Sequence, residues 1–155
     1  MLDGASRLDE IVEAAAKDKQ LALGITDHGN MYGVLPFYKA CKAQGIKPII
    51  GTEAYMAYDS RHERPKRGRG NVDDSGGNTD EGRKLYYHLT LLAENNSGYK
   101  NLIQIASRAY MEGFYYKPRI DWEVLNDHSD GIIATTGCLG GQVLQALLLM
   151  EYFLL

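Results

Sequence analysis

The sequence predicts an α/β fold with about four parallel strands and flanking helices. Two patterns indicate this class: short apolar runs typical of buried strands, and stretches of helical period that lie between those runs. A chain of 155 residues is long enough for one modest domain with its own core. Because four parallel strands do not close a barrel, a barrel-like fold would need additional strands.

The first half of the chain is predicted to run helix, strand, helix, strand. Apolar residues recur at helical spacing over 8–19, and the short apolar run at 21–26 is typical of a buried strand. A second amphipathic helix is predicted over 34–45, where Gly45 stops it, and the next strand lies within 47–58. Strand, helix and strand in this order are typical of a parallel sheet.

Residues 59–83 interrupt this alternation. A basic run over 61–69 is followed by an acidic stretch over 73–81, among many Gly, Ser and Asn residues. No hydrophobic period is present, so we predict a flexible, charged insertion loop. The basic run could touch DNA without sequence preference, but a solvated loop that its own acidic half partly neutralises is the simpler interpretation.

Alternation resumes in the second half of the chain. The predicted elements are a strand at 86–93, a helix at 97–113, an aromatic and basic connector at 114–121, a short helix at 122–126, a strand at 131–138 and a helix from about Gln142. Residues 147–155 form an apolar tail that is atypical of a domain end, since an exposed segment of this kind promotes association.

Composition excludes several classes of protein. The formal net charge of −3 excludes a uniformly basic nucleic-acid binder, so any contact with DNA must come from a local patch. Two cysteines, Cys41 and Cys138, make no disulfide framework and favour a reducing, cytoplasmic setting. No apolar run approaches the roughly 20 residues needed to span a membrane, so no membrane partner is expected.

Three side chains that can bind metals follow or end predicted strands. His28 follows the first strand, Glu53 lies late in the second, and Cys138 ends the last. Functional groups in parallel α/β folds gather at the C-terminal ends of the strands. Imidazole, carboxylate and thiolate suit zinc, and imidazole with carboxylate also suits manganese or iron.

Each of these residues also has a purely structural interpretation. Asp27 and His28 could form a simple turn in which Asp27 caps the next helix. Cys138 alone would most often be a small core residue, whereas a carboxylate such as Glu53 inside an apolar strand needs a partner. His88 begins its strand, at the end opposite to the others, and its position suggests a core histidine. The two remaining histidines, His62 and His128, lie in polar stretches and are expected to be solvated.

Several segments, taken in order along the chain, resemble one known family. The run GITDHGNMYG at 24–33 resembles the second metal motif of the PHP (polymerase and histidinol phosphatase) family. The resemblance covers almost everything from Met1 to about Ala146. The segments that resemble the polymerase III alpha branch of the family occupy residues 37–42, 45–55, 88–93, 98–102, 112–121 and 137–141.

The resemblance implies a distorted (β/α)7 barrel with a cleft for up to three divalent metal ions, zinc or manganese. Residues 1–155 would then be a partial PHP domain. In the family, the glutamate equivalent to Glu53 typically bridges two metals, and His28 and Glu53 would be the catalytic pair. The resemblance also favours a ligand role for His88. Carried over residue by residue, the metal ligands would be Asp3, His28, Glu53, His88 and Cys138.

Two motifs of the family have no counterpart in the chain. A His-x-His motif is expected just before Met1, and an Asp-x-His motif is expected beyond Leu155. We therefore expect four ligands and the first strand of a complete domain to be missing, and weak or no catalysis by the chain alone.

The resemblance implies a function in DNA replication, as a metal-dependent 3′–5′ proofreading exonuclease site within a DNA polymerase. The implied partners are DNA, the remainder of the polymerase alpha subunit, and replisome subunits such as the sliding clamp. Magnesium would serve the polymerase region outside this chain. Lys117 and Arg119 are predicted to contact phosphate and strand beside Tyr115 and Tyr116. In the alternative, the tyrosines pack the barrel and Arg119 pairs with an acidic neighbour.

Two other functions stay open. One is a structural platform without catalysis that docks a replisome or proofreading partner, which relatives in the family also provide. Five metal-type residues favour the exonuclease, because a platform does not need them. The other is a small-molecule phosphatase of the histidinol phosphate type, which the segments at 37–42 and 112–121 disfavour.

Overall fold

The described residues fold into a mixed sheet with five flanking helices. The computed structural model describes residues 4–68, 79–80, 83–136, 138 and 140–151, and of 148–151 only the backbone. The helices are α1 (Leu8–Lys17), α2 (Val34–Ala43), α3 (Asn96–Met111), α4 (Trp122–Asp127) and α5 (Gln142–Glu151). The strands are β1 (Ala22–His28), β2 (Lys47–Ala57), β3 (Tyr86–Ala93), β4 (Phe114–Tyr115), β5 (Lys117–Ile120) and β6 (Ile132–Thr135).

Strand β2 is the centre of the sheet. It pairs in parallel with β1 along its first part and with β5 near its end. On its other edge it pairs antiparallel with β3, which in turn pairs antiparallel with β6. The short β4 forms a hairpin with β5.

The α/β class with flanking helices is confirmed, but two details of the predicted sheet are different. The expectation of about four parallel strands is wrong for β3, which runs against both of its neighbours. A parallel connection needs a crossover, which α2 supplies between β1 and β2, whereas the described residues between β2 and β3 contain no helix. The predicted connector at 114–121 contains the hairpin of β4 and β5.

The helices α1, α2 and α3 pack on one face of the sheet. Alternate residues of a strand point to opposite faces, so Ile50, Ala54 and Met56 of β2 share a face. That face meets two apolar clusters, one around Phe37 and Cys41 and the other around residues of α3 such as Leu102. The opposite face therefore carries Glu53 and Tyr55. No helix among the described residues is long and apolar enough to cross a membrane.

Arg61 ties the described start of the 59–83 segment to the rest of the domain. The basic run was expected to be solvated, and Arg61 is buried instead. Arg61 is only 5% exposed. Its guanidinium lies 2.9 Å from Asp121, 2.7 Å from Glu112 and 2.9 Å from Glu123. Charge composition alone could not show this, because the three acidic partners lie at least 50 residues away in sequence.

Asp121 joins this segment to the start of α4. Its carboxylate accepts hydrogen bonds from the backbone N–H groups of Arg61 and Val124, and it is almost fully buried. Burial alone would raise the pKa of Asp121, but these bonds and the guanidinium of Arg61 outweigh burial and lower it. The carboxylates likewise raise the pKa of Arg61 against the effect of burial.

We predict that Asp121→Asn lowers the free energy of unfolding by about 3 kcal/mol, because it takes from the buried guanidinium of Arg61 its most buried carboxylate partner. The pKa of Asp121 is lowered in the folded state. Its stabilising contribution is therefore complete above about pH 4 and disappears as the pH falls through the lowered value. Urea unfolding at pH 7 and at pH 3 should show the difference between parent and variant narrowing in acid.

Glu123→Gln is the matched control for this prediction. Glu123 contacts the same Nη1 atom of Arg61, but its side chain is 71% exposed. Exposed pairs contribute about 1 kcal/mol or less. Equal losses from the two variants would contradict a structural role for the buried pair.

Candidate metal centre

The turn after β1 positions His28. The backbone N–H of Gly29 donates to the carbonyl of Glu53 at 2.8 Å, and its φ of +63° lies in the left-handed region that favours glycine. A Cβ at this position would also lie 2.7 Å from the ring of Tyr55. Asp27 accepts a hydrogen bond from Gly33 at the start of α2, as the structural interpretation of that residue predicted. The turn thus leaves His28 facing β2.

Strand register brings the remaining groups to the same place. His28 lies opposite Glu53, and Tyr55, two residues further along β2, lies opposite His88. Because β3 runs antiparallel, its beginning lies at the edge where β1 ends. The argument that placed His88 at the far end of the sheet is therefore wrong. Strand β6 runs in the direction of β2, so Cys138, which follows β6, reaches this edge too.

Glu53 lies between two imidazoles. One carboxylate oxygen is 2.6 Å from Nδ1 of His28, and the other is 3.0 Å from Nδ1 of His88. Cys138 Sγ is 3.5 Å from the same nitrogen of His88. The side chains of Glu53 and His88 are 14% and 6% exposed, while His28 is 40% exposed, so the cluster opens to solvent at His28.

The donor set of this cluster fits a divalent metal. Ligand atoms of Glu53, His88 and Cys138 all lie within 4.8 Å of one another. Two ligands of a tetrahedral zinc ion lie about 3.3–3.8 Å apart, so the group needs little rearrangement to surround an ion. Within the described part of the chain, Nε2 of His88 is buried and has no hydrogen-bond partner. Such a nitrogen is destabilising by about 1–3 kcal/mol unless a bound group satisfies it.

Two tyrosines form an aromatic wall around His88, which the sequence reasoning missed. The ring of Tyr86 is stacked on His88 at 6.0 Å between centroids, and Tyr55 meets it edge-on at 5.4 Å. Both tyrosines lie two residues from a ligand on the same strand, Tyr55 from Glu53 and Tyr86 from His88. The period of two along the strands could therefore have identified them.

Four of the five predicted ligands, His28, Glu53, His88 and Cys138, come together in this cluster. Asp3 lies outside the described residues. Lys117, predicted to contact nucleic acid, places Nζ 5.2 Å from the centroid of the Tyr55 ring, next to the cluster.

Arg119, the second residue predicted to contact nucleic acid, is 1% exposed in the structure. Its guanidinium donates to the carbonyl oxygens of Gly113, Arg61 and Glu63 at 3.2, 3.2 and 2.6 Å. Burial, with the nearby charge of Arg64, lowers the pKa of Arg119 to about 10, and the group keeps its proton at neutral pH. This geometry favours a packing role, although backbone carbonyls rather than an acidic neighbour hold the side chain.

The fold and this cluster define an α/β domain with a set of metal-type ligands along one edge of its sheet. Comparison with known proteins agrees with that class. The family model described as "PHP domain" matches residues 1–152. The chain belongs to the PHP domain family.

The relatives it matches are DNA polymerase III alpha subunits. The chain is 49% identical over 152 residues to the subunit of Thermus aquaticus and 47% identical over 143 residues to that of Treponema pallidum. These matches cover 96% and 92% of this chain but 11% of each relative. The chain thus spans about a ninth of the length of the curated relatives it matches.

One solved structure has a lower similarity. It comes from Bifidobacterium adolescentis and is named as a suspected metal-dependent phosphoesterase. Its TM-score is 0.42 and its identity is 18%, over 69% of this chain and 29% of that chain. At this score the similarity adds nothing to the family assignment.

We predict that zinc or manganese binds this cluster and raises the melting temperature of the chain, and that a chelator reverses the rise. Glu53→Gln and His88→Asn should each weaken binding by about 100-fold or more, beyond the effect typical of residues that only support a ligand. Isothermal titration calorimetry measures the affinity.

His62→Asn is the matched control for His88→Asn, and Cys41→Ala is a control at a cysteine outside the cluster. His62 lies outside the cluster on the exposed part of the 59–68 stretch, and Cys41 is a buried residue of α2 that packs against α1 in an apolar cluster. Metal binding that survives Glu53→Gln and His88→Asn unchanged would show that the ion binds elsewhere.

Proposed function

We propose that the chain supplies part of a metal-dependent 3′–5′ exonuclease site within a replicative DNA polymerase. The observation that carries the proposal is the placement of Glu53 between His28 and His88, with Cys138 beside them. A cluster of divalent ions would lower the pKa of a bound water and neutralise charge on a phosphodiester.

The residues of the chain would act in different ways at such a site. Glu53 offers one oxygen toward each imidazole, an arrangement suited to a carboxylate shared by two ions. His88, Cys138 and the shared Glu53 would hold the buried ion, while His28, the most exposed of the group, would face the substrate side. Asp3 is proposed as a further ligand from the family resemblance alone.

Lys117 is proposed as a phosphate contact. Its ammonium group lies against the ring of Tyr55, whose other neighbours include His88. A cation on an aromatic face keeps its charge and is held in place without an acidic partner. It would therefore attract a phosphate to the edge of the metal cluster.

The wider setting follows from the relatives and is part of the proposal. The chain would work with DNA, with the remainder of a polymerase III alpha subunit that uses magnesium, and with replisome subunits such as the sliding clamp. Its place would be the cytoplasm, where bacterial chromosomes are replicated. By itself the chain would have weak or no activity, since its ligand set is part of the family's full set.

A chimera tests the exonuclease. Residues 1–152 would replace the matching region of the Thermus aquaticus subunit, and release of nucleotides from a labelled primer end would be followed with manganese or zinc. We predict metal-dependent release from the chimera, little or none from the 155-residue chain, and a loss on the order of 100-fold with Glu53→Gln.

Two controls accompany the chimera. DNA synthesis by the Glu53→Gln chimera should equal that of its parent, which shows that the protein is folded, and His62→Asn should leave nucleotide release unchanged. Release that a chelator does not reduce, or that Glu53→Gln does not slow, would reject the proposal.

A docking platform without catalysis is the second candidate function. The observation that favours it is an apolar surface on α3 and the turn after β1, where Tyr32 and Met111 are 79% and 86% exposed. They border an open groove of about 370 Å³ together with Ile103 and Tyr110. If Met111→Glu prevents assembly of the chimera with purified replisome subunits in gel filtration, while Glu53→Gln changes neither assembly nor nucleotide release, the platform is supported.

A further inference from the structure

Tyr116 has an unusual position at the tip of the β4–β5 hairpin. Tyr115 pairs directly with Lys117, so Tyr116 alone makes the turn. Its φ is +61°, in the left-handed region that large L side chains rarely adopt. Strained residues of this kind cluster at binding sites, where the surrounding structure holds them in place.

The surroundings of Tyr116 hold its ring but leave it accessible. Arg67 places its guanidinium carbon 5.2 Å from the ring centroid, and the ring of Tyr115 meets it at 4.6 Å and 65°. Tyr115 is fixed in turn, because its hydroxyl donates to the carbonyl of Pro65 at 2.6 Å. Tyr116 nevertheless remains 53% exposed. The result is a rigid, exposed aromatic ring with a cation beside it.

The hairpin tip is connected to the metal-type residues through Lys117 and Tyr55. Lys117 is the next residue after Tyr116, and its ammonium lies 5.2 Å from the Tyr55 ring centroid. Tyr55 contacts His88. The residue after the exposed ring of Tyr116 thus places its ammonium group one aromatic ring away from His88. Among the residues that the structure describes, neither Arg67 nor Lys117 forms an ion pair with a carboxylate, so both charges are available to an anionic ligand.

We propose that Tyr116 and Arg67 bind single-stranded nucleic acid, with an unpaired base stacked on Tyr116 and backbone phosphates on Arg67 and Lys117. Aromatic side chains bind unpaired bases by stacking, and cations follow the backbone. A duplex hides the faces of its bases, so the site selects single strands. The inference rests on the proposed function in one respect: the bound strand would lead its end to Glu53, His88 and Cys138.

Fluorescence anisotropy with a labelled oligothymidine measures single-strand binding at Tyr116. A chelator that removes metal ions prevents hydrolysis of the oligonucleotide during the measurement. Tyr116→Asn removes the ring and keeps a residue that tolerates positive φ, and it should weaken binding about fivefold or more. Tyr116→Phe keeps the ring and should bind like the parent. Arg67→Gln should lower the slope of log affinity against log salt by about 0.7.

Tyr38→Leu is the matched control, because it removes another exposed ring from α2, on the helix-covered side of the sheet. It should leave binding unchanged, and a blunt duplex should bind the parent more weakly than the single strand. Melting temperatures confirm that each variant is folded. Parent-like affinity of Tyr116→Asn, an equal loss in Tyr38→Leu, or no single-strand binding by the parent at low salt would each overturn the inference.

The two proposals fail in different ways. Binding of single strands that depends on Tyr116, without metal-dependent nucleotide release from the chimera, would reject the exonuclease and support the single-strand site at Tyr116. Nucleotide release that depends on Glu53, with single-strand binding and nucleotide release both unaffected by Tyr116→Asn, would support the exonuclease and reject the single-strand site at Tyr116.

Discussion

The register of β2 against its neighbours is the constraint on which the site depends. The pairing of His28 with Glu53 and of Tyr55 with His88 sets candidate metal ligands from three strands on one face of the sheet. Side chains alternate between the two faces, so a slip of one residue would turn Glu53 into the apolar face. The cluster of Glu53, His28, His88 and Cys138 is therefore a consequence of strand pairing and not of any local ligand motif.

Two features hold this register, the packing of apolar side chains and a hydrogen-bonded turn. On the apolar face, Ala54 and Met56 pack with Leu91 of β3 in the larger core cluster, and moving them outward would lose that burial. Beside the site, the hydroxyl of Thr52 lies within hydrogen-bond distance of the carbonyls of Asp27 and Asn30, which ties β2 to the turn after β1. The packing of β2 and the hydrogen bonds of the turn thus favour the same register of β1 against β2, which places His28 opposite Glu53.

The sequence predicted this arrangement in part, and the reasons differ from residue to residue. Local periodicity identified the helices and strands, and the position of His28, Glu53 and Cys138 near strand ends indicated a common edge. Periodicity carries no information about strand direction, so the antiparallel course of β3 was missed. His88 was identified only through the family resemblance. The hairpin of β4 and β5 was missed because two-residue strands leave no periodic signal.

Charge composition was the least reliable guide, because it does not reveal where a guanidinium points. Arg61 is neutralised by carboxylates, of which that of Asp121 is buried, and Arg119 and Arg64 donate to backbone carbonyls. These three arginines hold the segment before residue 69 against the sheet, so they leave little charge for a ligand. Within the described part of the chain, Arg67 and Lys117 form no ion pair with a carboxylate; Arg67 lies over the ring of Tyr116, and Lys117 lies over the ring of Tyr55 beside His88. A polyanion would therefore meet a narrow basic surface beside Tyr116, and the proposed single strand would reach Glu53 and His88 from this side.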